Sequence, residues 1–313
     1  DGALMASAID SSDTVYTAQR LHGLSATASA ALGRLLTAAS IMGAMQKQEH
    51  ATLTLRINGG GPIGTVTAIS DSHGNVRGCV DNPNVDVPLK PNGKLDVSAA
   101  VGTDGRLGVI RSYGTGEPYM GQVELVSGEI AEDITNYYAV SEQIPTVCAL
   151  GVLVDPNTNG VLLAGGLLIQ VLPGAQPQDI EKLEANIATL EPVTTMLAKG
   201  MTVEQIEGYF KGISCNGRRS RALKSKSWRK SPCTTPAHAA VRSIIMPLRP
   251  WSRMKSIRCR LWTARWKRCV RTAAASITSQ KRSCTSLPKA CAKSVKMPQN
   301  NFFEKVLEKV LTF

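Results

Sequence analysis

From Ser214 to Phe303 the chain has no aspartate and no glutamate. Folded surfaces mix both signs, so a carboxylate-free stretch of this length excludes an ordinary globular domain there. Residues 1–213 hold 12 Lys+Arg against 22 Asp+Glu, a net charge of −10, while residues 214–313 hold 24 against 2, a net charge of +22. The overall +12 therefore belongs to the tail. Cysteine is equally scarce where a framework would need it. Only Cys79 and Cys148 precede residue 213, too few for a disulfide scaffold. The other six are Cys215, Cys233, Cys259, Cys269, Cys284 and Cys291, and no CxC or CxxC occurs among them. Long apolar runs are missing too. The stretches around Gly151–Val154 and Val161–Leu172 are too short to cross a bilayer, and nothing reads as a signal peptide, so a soluble, cytoplasmic protein is expected. The chain starts at Asp1 without Met, and an incomplete N-terminus is expected.

Histidine is rare: His22, His50, His73 and His238 are all there is. No Gly-x-Ser-x-Gly elbow and no His-Glu-x-x-His appears, which argues against a hydrolase. His22 and His73 stand beside glycines in turns and read as surface or capping residues. The glycine-rich Asn58–Pro62 lacks a Gly-Lys-Ser/Thr and a following helix, so it reads as a hairpin turn rather than a phosphate loop. No residue is assigned a catalytic, cofactor-binding or metal-ligating role. The protein is expected not to be an enzyme.

What is present has clear periodicity. Val15–Lys47 reads as helical with a break at Gly23. Ser25 is a fitting N-cap, and Ala28, Leu32, Leu35, Ala39, Met42 and Met45 follow at spacings of three or four. Leu53, Leu55 and Ile57 alternate with polar residues as in a half-buried strand. Further strands are expected at Ile63–Ile69, Val76–Val80, Leu107–Ser112, Met120–Val126, Val152–Asp155 and Gly166–Leu172. Ser127 can cap a helix starting at Gly128 and running to Tyr138. Its Glu129, Glu132 and Asp133 read as complements of the helix dipole rather than as a catalytic pair or metal cluster. Residues 178–212 form a smaller helical region, with Ile180, Leu183, Ile187 and Leu190 on one face. There Thr202 and Gln205 make a capping box for Val203–Phe210. The fold class is α+β, a sheet covered by the Ser25–Lys47 and Gly128–Tyr138 helices. Three regions follow: a core domain over 1–174, a helical linker over 175–213, and a basic tail over 214–313 that is expected to be poorly packed.

Several stretches carry a resemblance. They are Arg20–Ser25 with Ala30–Arg34, Gly93–Val97, Gly165–Gly174, and above all Glu117–Thr146, EPYMGQVELVSGEIAEDITNYYAVSEQIPT. Through about residue 213 the chain resembles the redox-regulated 33-kDa heat-shock chaperone family (33 kDa chaperonin). The resemblance implies an ATP-independent holdase that binds unfolding client proteins under oxidative and heat stress and forms a homodimer when active. It also implies a C-terminal module whose CxC and CxxC bind Zn²⁺ as four thiolates when reduced. Oxidation would form disulfides, expel the metal and unfold the linker, exposing apolar surface. Four-thiolate zinc holds a small domain folded, so its loss is a folding switch. Here the chain departs from the pattern: as written it has no zinc motif.

A displaced reading frame accounts for the departure. A glutamate codon read one step out of phase supplies the opening of Lys, Asn, Arg or Ser codons, so an acid-rich segment reappears as a basic one. Back-translation with the third base of each codon joined to the first two of the next permits QVMEKKSVYYTCSCSREK from Ser225 and TVCPYCGSKYHFTKEEL from Lys267. Cysteine codons then straddle Pro236/Ala237, His238/Ala239, Cys269/Val270 and Thr272/Ala273, which is a CxC and a CxxC at the family's separation. The same frame permits a stop across Phe303/Glu304, where carboxylates return. The shift is placed between Ile213 and Lys224. Taken literally, a +22 tail with Trp228, Trp251, Trp262 and Trp266 suggests instead a nucleic-acid-binding arm, since cations neutralise phosphates and aromatics stack on bases.

Overall fold

The computed structural model describes residues 3–114, 116–210 and 221–223. In chain order the elements are β1 (Leu4–Asp10), α1 (Ser12–His22), α2 (Ala26–Ala44), β2 (Thr52–Asn58), β3 (Val66–Asp71), β4 (Val76–Val80), α3 (Val97–Val101), β5 (Arg106–Ser112) and β6 (Tyr119–Glu124). Then come α4 (Ala131–Tyr137), a π turn (Tyr138–Glu142), β7 (Thr146–Val154), β8 (Val161–Val171), α5 (Pro177–Thr189), α6 (Val193–Ala198), α7 (Val203–Gly208) and β9 (Arg221–Leu223). The class is α+β, as the sequence implies. The expected poor packing of the tail concerns residues outside those described, apart from β9.

The strands form two sheets rather than the one expected. The first has the order β7-β8-β1-β9, with β9 parallel to β1, and the second has the order β4-β3-β2-β5-β6. Helix α2 explains the pair. Of its nineteen residues only Ala26 and Arg34 escape full burial, because it packs against β2 and β3 on one side and β7 and β8 on the other. A helix buried all round needs small residues where backbones approach closely, and ATASAALGRLLTAASIMGA supplies them. The Ser25 hydroxyl caps it as expected, accepting from Ala28 N at 3.4 Å and donating to the Val85 carbonyl at 2.8 Å.

Strand β8 shows why alternation fails at the centre. Ala164 through Val171 are all buried, since both faces of the strand are covered. Leu168 faces α2, while Leu167, Ile169 and Val171 face α5–α7. The Gly165-Gly166 pair lets a helix approach on each side. A Cβ at Gly166 would lie 2.8 Å from Thr37 Cγ2 of α2, and one at Gly165 would lie 2.7 Å from Leu197 Cδ1 of α6. The layers therefore run second sheet, α2, first sheet, α5–α7.

Two local expectations are corrected. The strand expected from Ile63 begins at Val66, because Ile63 and Gly64 belong to the turn after β2, where Ile63 N donates to the Ala100 carbonyl. The helix expected from Gly128 begins at Ala131. Ser127 does not cap it. Its hydroxyl accepts from Glu129 N at 3.2 Å in a tight turn, and Asp133 works from inside the helix instead. Asp133 Oδ1 accepts from Val126 N at 2.8 Å and Ser127 N at 3.2 Å, and Oδ2 from Ile130 N at 3.1 Å. These bonds hold buried Ile130 at φ 67°, a conformation a β-branched side chain avoids.

Candidate functional site

The three helices of 177–208 cover an apolar face of the first sheet. Leu183, Ile187, Leu190, Val193, Met196, Leu197, Val203 and Ile206, with Phe210 after α7, bury against Leu4, Ala6, Ala8, Val147, Leu167, Ile169 and Val171 of the first sheet. Helices of thirteen, six and six residues are too short to persist in water, so their order depends on this contact. Polar ties join the helices as well. Asn186 Nδ2 donates to the Tyr209 carbonyl at 2.8 Å, joining α5 to the end of α7. Thr202 and Gln205 form the capping box read from the sequence, with Thr202 N donating to Gln205 Oε1 at 2.8 Å and Gln205 N to Thr202 Oγ1 at 3.3 Å. Lys199 meets Glu191 at 2.6 Å, but both side chains are about half exposed and the pair contributes little. Helix α6 rests on a glycine floor: a Cβ at Gly151 would lie 2.6 Å from Thr194 Cγ2.

The three carboxylates of 129–133 have separate jobs. Asp133 is the helix cap described above. Glu129 bridges two cations, with Arg34 Nη1 at 2.5 Å from Oε2 and Lys90 Nζ at 2.5 Å from Oε1. Burial alone would raise its carboxyl, but Arg34 and Lys90 hold it below the usual carboxylate range. Glu132 is buried, its Oε2 has no hydrogen-bond partner among the described residues, and burial raises its carboxyl above the usual range against a Ser127 bond, with Glu129 and Asp133 adding to the rise. Helix-end electrostatics thus covers Asp133 and misses Glu129, whose partners are 95 and 39 positions away. The one charged residue in a helix otherwise made of apolar and hydroxyl side chains, Arg34, was the available signal.

A second polar cluster was not anticipated. Arg111 Nη1 lies 2.6 Å from Glu142 Oε1, and the Tyr137 hydroxyl donates to the same oxygen at 2.5 Å. The Arg111 guanidinium also sits 6.0 Å from the Tyr137 ring centroid. Burial works against the Arg111 charge, but Tyr137, Tyr138 and Glu142 raise its pKa overall. This cluster fixes the π turn over β6, where Gly121 leaves room for the Tyr137 ring.

The thiols and imidazoles stand apart. Cys79 is half-buried on β4 of the second sheet and Cys148 is buried on β7 of the first. Burial raises both thiols, with Asp81 adding at Cys79, and Cys148 is pushed up to about 12. His22 is half-buried at the end of α1, where burial lowers its pKa against a backbone bond to Gly78. His73 is exposed in a turn, its N–H donating to Asp71 Oδ1 at 2.9 Å. Among the described residues no group of three His, Cys, Asp or Glu side chains is placed to hold a metal ion. Cys215, Cys233, Cys259, Cys269, Cys284, Cys291, His238 and the four straddled codon positions lie outside the described residues.

Residues 1–227 match the family model described as Hsp33 protein. The chain belongs to the Hsp33 family. It is 48% identical over 206 residues, 66% of this chain and 71% of the relative, to the 33 kDa chaperonin of Bacillus licheniformis. It is 52% identical over 206 residues, 66% of this chain and 70% of the relative, to the 33 kDa chaperonin of Clostridioides difficile. Its structure is similar to the crystal structure of the 33 kDa chaperonin, a heat shock protein 33 homologue, from Thermotoga maritima. That similarity has a TM-score of 0.61 and 35% identity and covers 74% of this chain and 76% of the other. Membership in the Hsp33 family makes this chain a heat-shock chaperone. No helix among the described residues is long and apolar enough to cross a membrane.

Proposed function

We propose that the chain is an ATP-independent holdase whose client surface is the first-sheet face beneath α5–α7. Residues 1–174 are the body, 175–213 a removable cover, and 214–313 a tail standing where the family's redox module belongs. The observation that supports this reading is the composition of the cover: short helices that bury apolar side chains over the apolar residues of β1, β7 and β8. Lifting the cover exposes Leu4, Val147, Leu167, Ile169 and Val171 together, and a contiguous apolar face of that kind takes up unfolded chains. Unfolding polypeptides are the partners this surface fits, in line with the chaperone family.

The zinc gate that the family resemblance implies does not fit the residues present. Four-thiolate zinc needs paired cysteines, and this chain has neither CxC nor CxxC. Cys79 and Cys148 sit in different sheets, and both thiols are raised where a metal ligand must be deprotonated. The displaced frame remains our account of the tail, and the family match ending at residue 227 is in keeping with it. Reading the DNA across codons 213–224 tests the frame directly. For the holdase, light scattering of a heat-unfolding client should fall in the presence of this chain, equally with and without ATP. Suppression that requires ATP, or none at all, defeats the proposal.

A further inference from the structure

A cavity of about 360 Å³ lies at the start of α2, bounded by that helix, the irregular stretch after β4 and the β7–β8 turn. None of its lining residues belongs to α5–α7 or to the face beneath them. Its walls are fixed by hydrogen bonds. Ser25 N donates to the Pro83 carbonyl at 2.9 Å, and Ser25 Oγ to the Val85 carbonyl at 2.8 Å. On the far side Gln19 Nε2 donates to the Asn159 carbonyl at 2.5 Å. Hydrogen-bond donors collect at the helix end of the cavity. Ala26 and Thr27 open a nineteen-residue helix, so their N–H groups have no acceptor within it, and neither has another partner among the described residues. Thr27 is only 5% exposed, and its hydroxyl is likewise without a partner among the described residues. Asn84 and Asn159 add exposed carboxamides. The remaining wall is apolar. Val85, Val87 and Leu89 alternate along one segment and line the cavity together, with Leu95 beside them. Leu89 is 58% exposed.

We infer that this cavity binds a carboxylate carried on a short apolar group. The donors dictate the charge. Two free N–H groups at the positive end of a long helix, with an unpartnered buried hydroxyl on the same turn, are satisfied together by an anionic oxygen pair. The apolar wall dictates the rest of the ligand, because a bare inorganic anion would leave Val87, Leu89 and Leu95 without contacts. Asp86 limits the charge: its exposed carboxylate, also lining the cavity, repels a second negative charge and so disfavours a phosphate dianion. A free short-chain acid and the terminal carboxylate of a peptide ending in an apolar residue both carry this chemistry. The site is independent of the holdase reading, since it shares no residue with the cover or with the face beneath it.

The test titrates the full chain with sodium hexanoate by calorimetry, against hexanol (the tail without the charge) and acetate (the charge without the tail). Hexanoate should bind at one site with a Kd of about 1 mM, and both controls at least about tenfold more weakly. Thr27→Val, which removes the hydroxyl at nearly constant shape, should weaken hexanoate about fivefold. Asp86→Asn, an exposed substitution that leaves the fold intact, should tighten it about twofold by removing a like charge. Hydrogen exchange on the unaltered chain should show the Ala26 and Thr27 amides slowed by hexanoate, a readout that needs no variant. A tripeptide ending in leucine, set against its C-terminal amide, separates the two sources: displacement of hexanoate by the acid alone assigns a chain terminus, and no displacement assigns a free acid. Hexanoate and acetate bound equally overturn the inference by assigning the binding to the cationic tail. It is also overturned by hexanol bound as tightly as hexanoate, by no slowing at 26–27, or by Asp86→Asn and Thr27→Val both binding as the parent does.

Discussion

Arg34 and Glu129 stand 95 positions apart and meet at 2.5 Å, with Lys90 closing on the other carboxylate oxygen. Arg34 is the only charge on α2, and Glu129 precedes α4, so this contact ties the central helix to the turn whose Asp133 bonds shape the next element. The irregular 81–96 stretch is fastened to the same point through Lys90.

Glu129→Gln should destabilise the fold by about 2–3 kcal/mol, because it leaves two partly buried cations facing a neutral amide. The folded carboxyl is held low, so its stabilisation is present above the unfolded carboxylate pKa and is lost as pH falls through the folded value. Urea midpoints measured from neutral to acidic pH should converge for parent and variant at the acid end.

Glu132→Gln should do the reverse. Its folded carboxyl is raised by burial, so its favourable contribution is present below the unfolded pKa and is lost as pH rises through the folded one. A neutral side chain should gain about 1 kcal/mol at neutral pH and nothing in acid, read from the same urea series.

Gly165→Ala places a Cβ 2.7 Å from Leu197 Cδ1 and 2.8 Å from the Ile9 carbonyl. The side chain can yield but the strand carbonyl cannot, so α6 should lift at a cost of about 1–3 kcal/mol. Limited proteolysis within 190–210 should quicken, and on the holdase reading client capture at low temperature should rise. Quicker cleavage without greater capture would separate the cover from the client surface.

The Cys148 thiol should be unreactive in the folded chain. Burial on β7 pushes it up to about 12, so at pH 8 the thiolate is scarce and no reagent reaches it. Peroxide or iodoacetamide followed by mass spectrometry should modify it only in denaturant.

The sequence was readable wherever one face of an element met solvent. β2 alternates as LTLRIN and β4 was placed to the residue. The α2 cap and the Thr202–Gln205 box were equally legible, since both are local chemistry. Three things were not. β1, LMASAID, was missed because it is buried on both faces by elements up to about 200 residues away, so alternation carries no signal. The second sheet was missed because a helix buried all round looks the same in sequence as one resting on a single sheet. The α4 start was misplaced because the cap comes from Asp133, inside the helix, rather than from Ser127 before it. Long-range pairs such as Arg34–Glu129 leave only a charge in an apolar run as their trace.

The measurement that bears most directly on the whole account pairs this chain with one whose frame is restored from codon 224 onward. Client aggregation and bound zinc are measured for each before and after peroxide. The restored chain should hold one zinc, lose it on oxidation and gain suppression, while the present chain should hold none and suppress equally before and after. Peroxide-driven suppression of the same size in both chains would contradict it.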